Sequence, residues 1–198
     1  MRPIIITGTP KSATKYIAVL LKQMGLDFEH EKLAKDGTAD WRLAPGYKAV
    51  PWDGDTFLRN FNNPIILHQV RHPLNTIASC QKIAGYAWNY IYKFSPVNEY
   101  DYSEIGRCMA LWYYWNKMAE RLAIWTYRIE DLEKEFKLFC KKIERPELIK
   151  KKHIIKTIPK NINTAKPYKE LTWEDLENED SILTAKIKNL ARRYGYKV

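Results

Sequence analysis

Two short stretches carry residue types at spacings that can grip anions. Residues 6–16, ITGTPKSATKY, join a β-branched run to a helical one. Backbone N–H groups at such a helix start point toward the end of the preceding strand, Ser12 and Thr14 add hydroxyl donors, and Lys11 adds a full positive charge. That set suits an oxyanion, with an ordinary Pro-Lys-Ser turn and helix cap as the competing structural reading. A nucleoside-triphosphate loop of the G-x-x-x-x-G-K-[ST] kind is a poor match: it needs glycine at Ala13 and then Lys with Ser or Thr, but Thr14 follows. In residues 71–79, RHPLNTIAS, Arg71 leaves the end of an apolar run and Ser79 lies eight residues on, inside the next helix. A guanidinium fork with one hydroxyl can hold a terminal phosphate through paired hydrogen bonds, where a lysine would act as a point charge. Two such sites at neighbouring strand ends imply a ligand phosphorylated at two places. Taken singly, Arg71 and Ser79 also fit a salt-bridged surface residue and a helix filler.

Positioning these residues requires strands and helices in alternation. Residues 3–7 contain three consecutive isoleucines, as a strand buried on both faces would. From 13 to 24, Tyr16, Ile17, Leu20, Leu21 and Met24 recur at helical spacing, and Gly25 follows where a C-terminal cap belongs. Residues 64–70, PIILHQV, repeat the buried-strand pattern, with Pro73 as a first-turn helix residue. Two strand-turn-helix units predict an α/β protein with a mostly parallel sheet. Further along, the periodicity predicts a helix over 102–119 with Asp101 and Glu104 as a capping box, a strand over 122–127 and a helix over 131–142. A short strand over 153–158 and a closing helical region over 173–194 complete the reading. Between 84 and 101, Tyr86, Trp88, Tyr90, Tyr92 and Phe94 fall at every second position, so one face would be almost wholly aromatic. That face is either a packed excursion over the sheet or an acceptor-binding wall. An RNA-stacking platform fits less well, since few Lys or Arg interleave with the rings.

The chain of 198 residues is 45% hydrophobic, enough for one sizeable core, so a single domain over 1–198 is expected. Lys and Arg total 33 against 23 Asp and Glu, a formal charge of +10 that favours an anionic partner. The three cysteines, Cys80, Cys108 and Cys140, are widely spaced and suggest neither a disulfide framework nor a metal knuckle. No apolar run approaches the ~18 residues of a membrane span, and the apolar stretch after Arg2 is too short for a signal-peptide core. A cytoplasmic protein without a membrane partner is the expectation. His68 and His72 are four apart, but they straddle a strand end ahead of Pro73, which disfavours a zinc pair.

PKSATKY at 10–16 and RHPLNTIAS at 71–79 resemble, in order and internal spacing, the P-[KR]-S-G-T-[TS]-W and R-x-P-x-x-x-x-x-S motifs of the sulfotransferases that use 3'-phosphoadenosine 5'-phosphosulfate. YRIEDL at 127–132 is similar to the family's R-Y-E-D-L. GLDFEHEKLAKDGTADW at 25–41 resembles the H-E, D-G, W pattern of small bacterial sulfotransferase-like proteins. The likeness spans most of the first ~130 residues, and the pair of turns is its specific part. It implies a three-layer, P-loop-like sulfotransferase fold and that phosphosulfate as cofactor. Lys11 would then contact the sulfonate and the bridging oxygen, with Ser12, Ala13, Thr14 and Lys15 on the 5'-phosphate. Tyr16, where the family often has Trp, would stack on adenine, and Arg71 and Ser79 would take the 3'-phosphate. Ala13 replaces the usual glycine, and its Cβ would crowd a positive φ, so the loop is expected to stay right-handed there.

Sulfuryl transfer needs in-line placement, a base for the acceptor proton and positive charge on the departing oxygen. A sulfonate carries less charge than a phosphoryl group, so Lys and Arg can serve where kinases use magnesium, and no metal is expected. The family's K-T-H-x-P has only Lys48-Ala49-Val50-Pro51 as its nearest counterpart, which keeps Lys48 as a sulfonate contact and leaves the base elsewhere. Carbohydrate sulfotransferases commonly place a Glu after the first helix, where this chain has Glu29, His30 and Glu31. Strand alternation would put Glu29 and Glu31 on one face and His30 on the other; Glu31 is favoured as base, then His30, with Asp53 and Asp55 as outsiders. A solvated strand end is the competing structural reading of all three. The basic segment from Lys150 to Lys169 reads as solvated surface that can lend one lysine to the bisphosphate.

The expected activity is sulfonate transfer to a hydroxyl or amine of a small-molecule, carbohydrate or peptide acceptor. Two alternatives stay open: a nucleotide or small-molecule kinase with a degenerate phosphate loop, and a non-catalytic basic nucleotide- or RNA-binding protein. Nucleic acid is the less favoured partner.

Overall fold

The computed structural model describes residues 1–46, 61, 63–98, 101–159 and 170–198. Five parallel strands form one sheet: β1 (Ile4–Thr7), β2 (Phe28–His30), β3 (Gly37–Ala39), β4 (Ile65–Val70) and β5 (Trp125–Arg128), in the order β2-β3-β1-β4-β5. β1 is the central strand, with Ile4 in register with Gly37 of β3 and Ile65 of β4. Gly37 is needed there: its φ is 146°, and a Cβ would stand 2.0 Å from the Ile4 carbonyl oxygen.

Helices cover both faces of the sheet, which is why β1 and the first half of β4 read as unbroken apolar runs. Ile4, Ile6, Ile65, Leu67 and Tyr127 pack against α1 (Thr14–Gln23) and α5 (Leu132–Lys142) through Ile17, Leu20, Phe136 and Phe139. On the opposite face Ile5 and Ile66 meet Leu43 and Phe61. Val70 joins the larger cluster built by α2 (Pro73–Cys80), α3 (Gly85–Phe94), α4 (Glu104–Leu122), α6 (Trp173–Glu179) and α7 (Ser181–Arg193). Ile4, Ile5 and Ile6 are wholly buried, and each contributes about 1.5–3 kcal/mol of burial free energy. Gly25 closes α1, its amide on the Lys22 carbonyl and the Leu26 amide on that of Leu21, a paired C-terminal cap.

Several expectations are corrected. The aromatic stretch is helix α3, so alternate residues do not share a face: Trp88 and Ile91 are buried while Tyr86 is 82% exposed. The residue that caps α4 is Ser103, whose hydroxyl accepts from the Gly106 amide, and not Asp101. Residues 153–158 form no strand; most belong to a 3-10 segment, Pro146–Lys156, lying beside α5. The strand expected over 122–127 begins at Trp125, and the closing region is two helices that Asp180 divides, each with its own side-chain cap from Thr172 or Asp180. Among the described residues no helix is long and apolar enough to cross a membrane.

Candidate functional site

In an open parallel sheet, ligands bind beyond the strand C-termini where the strand order reverses. Here that point lies at β1, which has β3 on one side and β4 on the other. The turns after β1 and β4, the two anion-type stretches, therefore open on the same edge. They line one cleft of about 1710 Å³.

The first loop is seated by its carbonyls. A Cβ on Gly8 would be 2.2 Å from the Gln69 carbonyl oxygen, so only glycine lets the loop start this close to β4. Cys80 Sγ then donates to the Pro10 carbonyl at 3.5 Å, Arg71 Nη1 to that of Lys11 at 3.0 Å, and Gln69 Nε2 to that of Ser12 at 2.5 Å. The Tyr127 hydroxyl fixes Gln69 in turn, at 2.6 Å. In a trans peptide the following N–H points opposite to the carbonyl. Three carbonyls drawn toward β4 and α2 thus turn the amides of Lys11, Ser12 and Ala13 the other way. That of Ser12 returns to the Thr9 carbonyl, and those of Lys11 and Ala13 face away from β4. The amides of Thr14 and Lys15 follow at the start of α1, where no preceding turn can receive them, and no acidic residue stands in that first turn.

This arrangement overturns the right-handed loop. Lys11 has φ 67° and Ala13 φ 71°, both left-handed, and the alternation makes a concavity of N–H groups suited to an anion. The strain at Ala13, about 1–2 kcal/mol, is carried by the three carbonyl ties. Ser12 is buried beneath the loop and does not line the cleft; its hydroxyl has no partner among the described residues.

Lys11, Ala13, Thr14, Lys15, Tyr16, His30, Glu31, Arg71 and Ser79 all line the cleft. Ser79 Oγ donates to the Asn75 carbonyl within α2, and the Tyr16 hydroxyl to that of Ile155 at 3.5 Å. Lys48, Asp53, Asp55 and residues 160–169 of the basic segment lie outside the described residues.

β2 ends at His30, and the chain then turns left-handed at Glu31, φ 53°. Strand alternation stops there, so Glu31 comes to the side of His30 and not to that of Glu29, which pairs with Lys22 at the surface. His30 Nε2 lies 3.1 Å from Thr14 Oγ1 and 3.6 Å from Glu31 Oε1. Burial holds the imidazole below its ordinary pKa; Glu31 opposes this, and Lys15 and Arg42 reinforce it. A neutral imidazole beside the first turn of α1 can accept a proton at pH 7. Glu31 is otherwise occupied: Oε1 accepts from Trp41 Nε1 at 2.8 Å, and its carbonyl from Arg42 Nη2 at 2.8 Å. Of the two candidate bases, Glu31 thus has its carboxylate and carbonyl tied to Trp41 and Arg42, while His30 faces Thr14.

Sequence reasoning missed the pair that fixes this corner. Asp40, wholly buried at the end of β3, accepts from Arg42 Nε at 3.0 Å and Nη2 at 2.9 Å, and it caps the 3-10 turn Trp41–Leu43 by accepting from the Arg42 amide. Burial raises the Asp40 carboxyl above its usual range against the pull of Arg42. An Asp two residues before an Arg, just past a strand, is the only sequence signal for it. Trp41 and Tyr90 meet edge to face at 5.6 Å, and the Tyr90 hydroxyl donates to the Arg42 carbonyl at 2.6 Å, so one side of α3 walls the cleft near His30.

His68 is structural. Its ring nitrogens face Thr126 Oγ1 and Asn116 Oδ1, and burial lowers its pKa to about 4. No cluster of three metal-ligating side chains occurs among the described residues. No family model, curated protein or solved structure matches this chain.

Proposed function

We propose that this protein transfers a sulfonate group from 3'-phosphoadenosine 5'-phosphosulfate to a hydroxyl, or an amine, of an acceptor molecule, on a P-loop-like sulfotransferase fold. The observation that carries the reading is the meeting of two anion-type turns, joined by the Arg71–Lys11 hydrogen bond, in one cleft that also holds a neutral histidine. A drug-sized ligand fills about 300–1,000 Å³. The larger cleft leaves room for a nucleotide and an acceptor together.

In this reading the amides of Ala13, Thr14 and Lys15 receive the 5'-phosphate, and Arg71 with Ser79 receives the 3'-phosphate. The acceptor oxygen forms a bond to sulfur while the bond from sulfur to the 5'-phosphate oxygen breaks. The acceptor proton passes to the His30 imidazole, which Thr14 and Glu31 hold in place through Nε2. Lys11 offsets the charge that gathers on the departing oxygen. Adenosine 3',5'-bisphosphate leaves as the product.

The test is thermal stabilisation by adenosine 3',5'-bisphosphate, adenosine 5'-phosphate and ATP with magnesium, followed by a radiolabelled sulfonate-transfer assay on a panel of phenols and sugars. Strong stabilisation by the bisphosphate alone is expected. A preference for ATP with magnesium would favour a kinase instead, and equal responses would leave only a basic nucleotide-binding surface.

A further inference from the structure

The chain after α7 returns to the second anion turn. Glu130, just past β5, uses both carboxylate oxygens: Oε1 accepts from the His72 amide at 2.8 Å and Oε2 from the Tyr196 hydroxyl at 2.9 Å. The Tyr196 ring meets the His72 ring edge-on at 5.3 Å and lies under the Arg128 guanidinium, 5.3 Å from its centroid. Arg128 also donates to the Gly195 carbonyl and pairs with Asp131.

The peptide between Arg71 and His72 is thereby gripped from both ends. Its N–H is held by Glu130, and its carbonyl accepts from Trp112 Nε1 at 3.4 Å, while the Thr76 hydroxyl donates to the next carbonyl, that of His72, at 3.0 Å. Orienting that peptide aims the Arg71 side chain. It also places a carboxylate one residue from a guanidinium that makes no ion pair among the described residues, with both groups lining the cleft. Two hydrogen bonds restrain that carboxylate, and Tyr196 supplies one of them.

We propose that Tyr196 is a positioning residue for the second anion site: by holding Glu130 on the His72 amide, it fixes the Arg71 turn and keeps the carboxylate from neutralising Arg71. The proposal rests on the sulfonate-transfer reading for the identity of the ligand, a nucleotide bearing a 3'-phosphate. It does not rest on that reading for the geometry. Tyr196→Phe removes the hydroxyl and keeps the ring contacts. Glu130 can then reach Arg71 as an internal competitor for the phosphate.

Titration calorimetry with adenosine 3',5'-bisphosphate and adenosine 5'-phosphate, together with hydrogen exchange at the His72 amide, tests this. Tyr196→Phe should weaken the bisphosphate about tenfold, the scale of one hydrogen bond to a charged group, and leave the monophosphate within about twofold. Exchange at His72 should speed up. Adding Glu130→Gln should restore the bisphosphate, because a neutral amide does not compete for a guanidinium. A purely structural role for Tyr196 would weaken both nucleotides alike. Equal weakening, an unchanged ratio, or no rescue by Glu130→Gln overturns the proposal. If the wild-type protein does not distinguish the two nucleotides, the sulfonate-transfer reading fails instead. The His72 exchange rate then still decides whether Tyr196 fixes the turn, and an unaltered rate sinks the inference.

Discussion

Arg71 Nη1 donates to the Lys11 carbonyl oxygen at 3.0 Å, so the turn after β4 holds the loop after β1 by its backbone. One guanidinium thus belongs to both anion-type turns. Replacing it removes a proposed phosphate ligand and a loop tie at once. Arg71→Ala should lower affinity for adenosine 3',5'-bisphosphate about 10²–10⁴-fold, the scale of two charge-assisted hydrogen bonds at about 1.5–3 kcal/mol each. Arg71→Lys should recover only part, since a point charge cannot replace the fork. Calorimetric titration of both variants checks this.

Ala13 gives a prediction whose sign depends on handedness. At φ 71° its Cβ is strained, so Ala13→Gly should stabilise the fold by about 1 kcal/mol and raise Tm by about 2–4 °C. A right-handed Ala13 would give the opposite sign, because glycine costs about 0.5–1 kcal/mol in ordinary helical backbone. A thermal melt at pH 7 separates the two.

His30 sets the expected pH profile. Its pKa is depressed by burial, so the acid limb of turnover should fall below the ordinary histidine value of about 6.5. His30→Ala should reduce turnover about 10²–10⁴-fold with little change in bisphosphate affinity, and Glu31→Gln should cost much less. Steady-state rates from pH 5 to 8 with saturating cofactor test the order of the two groups.

His68 governs acid stability. Its folded pKa, about 4, lies below the unfolded value, so the unfolded chain takes up the proton first. Stability is fully present above about pH 6.5 and is lost as pH falls toward 4, by about 2 kcal/mol between pH 7 and pH 5. Urea titrations at the two pH values should show that loss. His68→Gln should flatten the dependence while lowering stability at pH 7.

What could be read in advance follows from how local each determinant is. β1, its loop and α1, and β4 with its turn and α2, are continuous in sequence, and each carries its own apolar period and breaker residues. The handedness of Ala13 is not legible, because Cys80, Arg71 and Gln69 impose it through loop carbonyls that lie between 57 and 70 residues from them. The aromatic stretch misled because Tyr86 to Phe94 satisfies a strand period, while the wholly buried Ile91 falls out of that phase and belongs to a helical face with Trp88. Strand alternation assigns Glu31 to the side of Glu29 because nothing local marks His30 as the end of β2. The partnership of Glu130 with His72 and Tyr196 spans three distant segments.

The sheet order bears on how the chain matures. Of the five strands, β1 leaves the ribosome ahead of the other four and ends up innermost, and its three isoleucines find their partners only when Gly37 and then Ile65 arrive. At about 5–20 residues per second, Ile4 waits roughly 3–12 s for β4. Until then a bare β-branched edge is open to pairing with other nascent copies. A chain released before Val70 would carry that sticky edge without its cover.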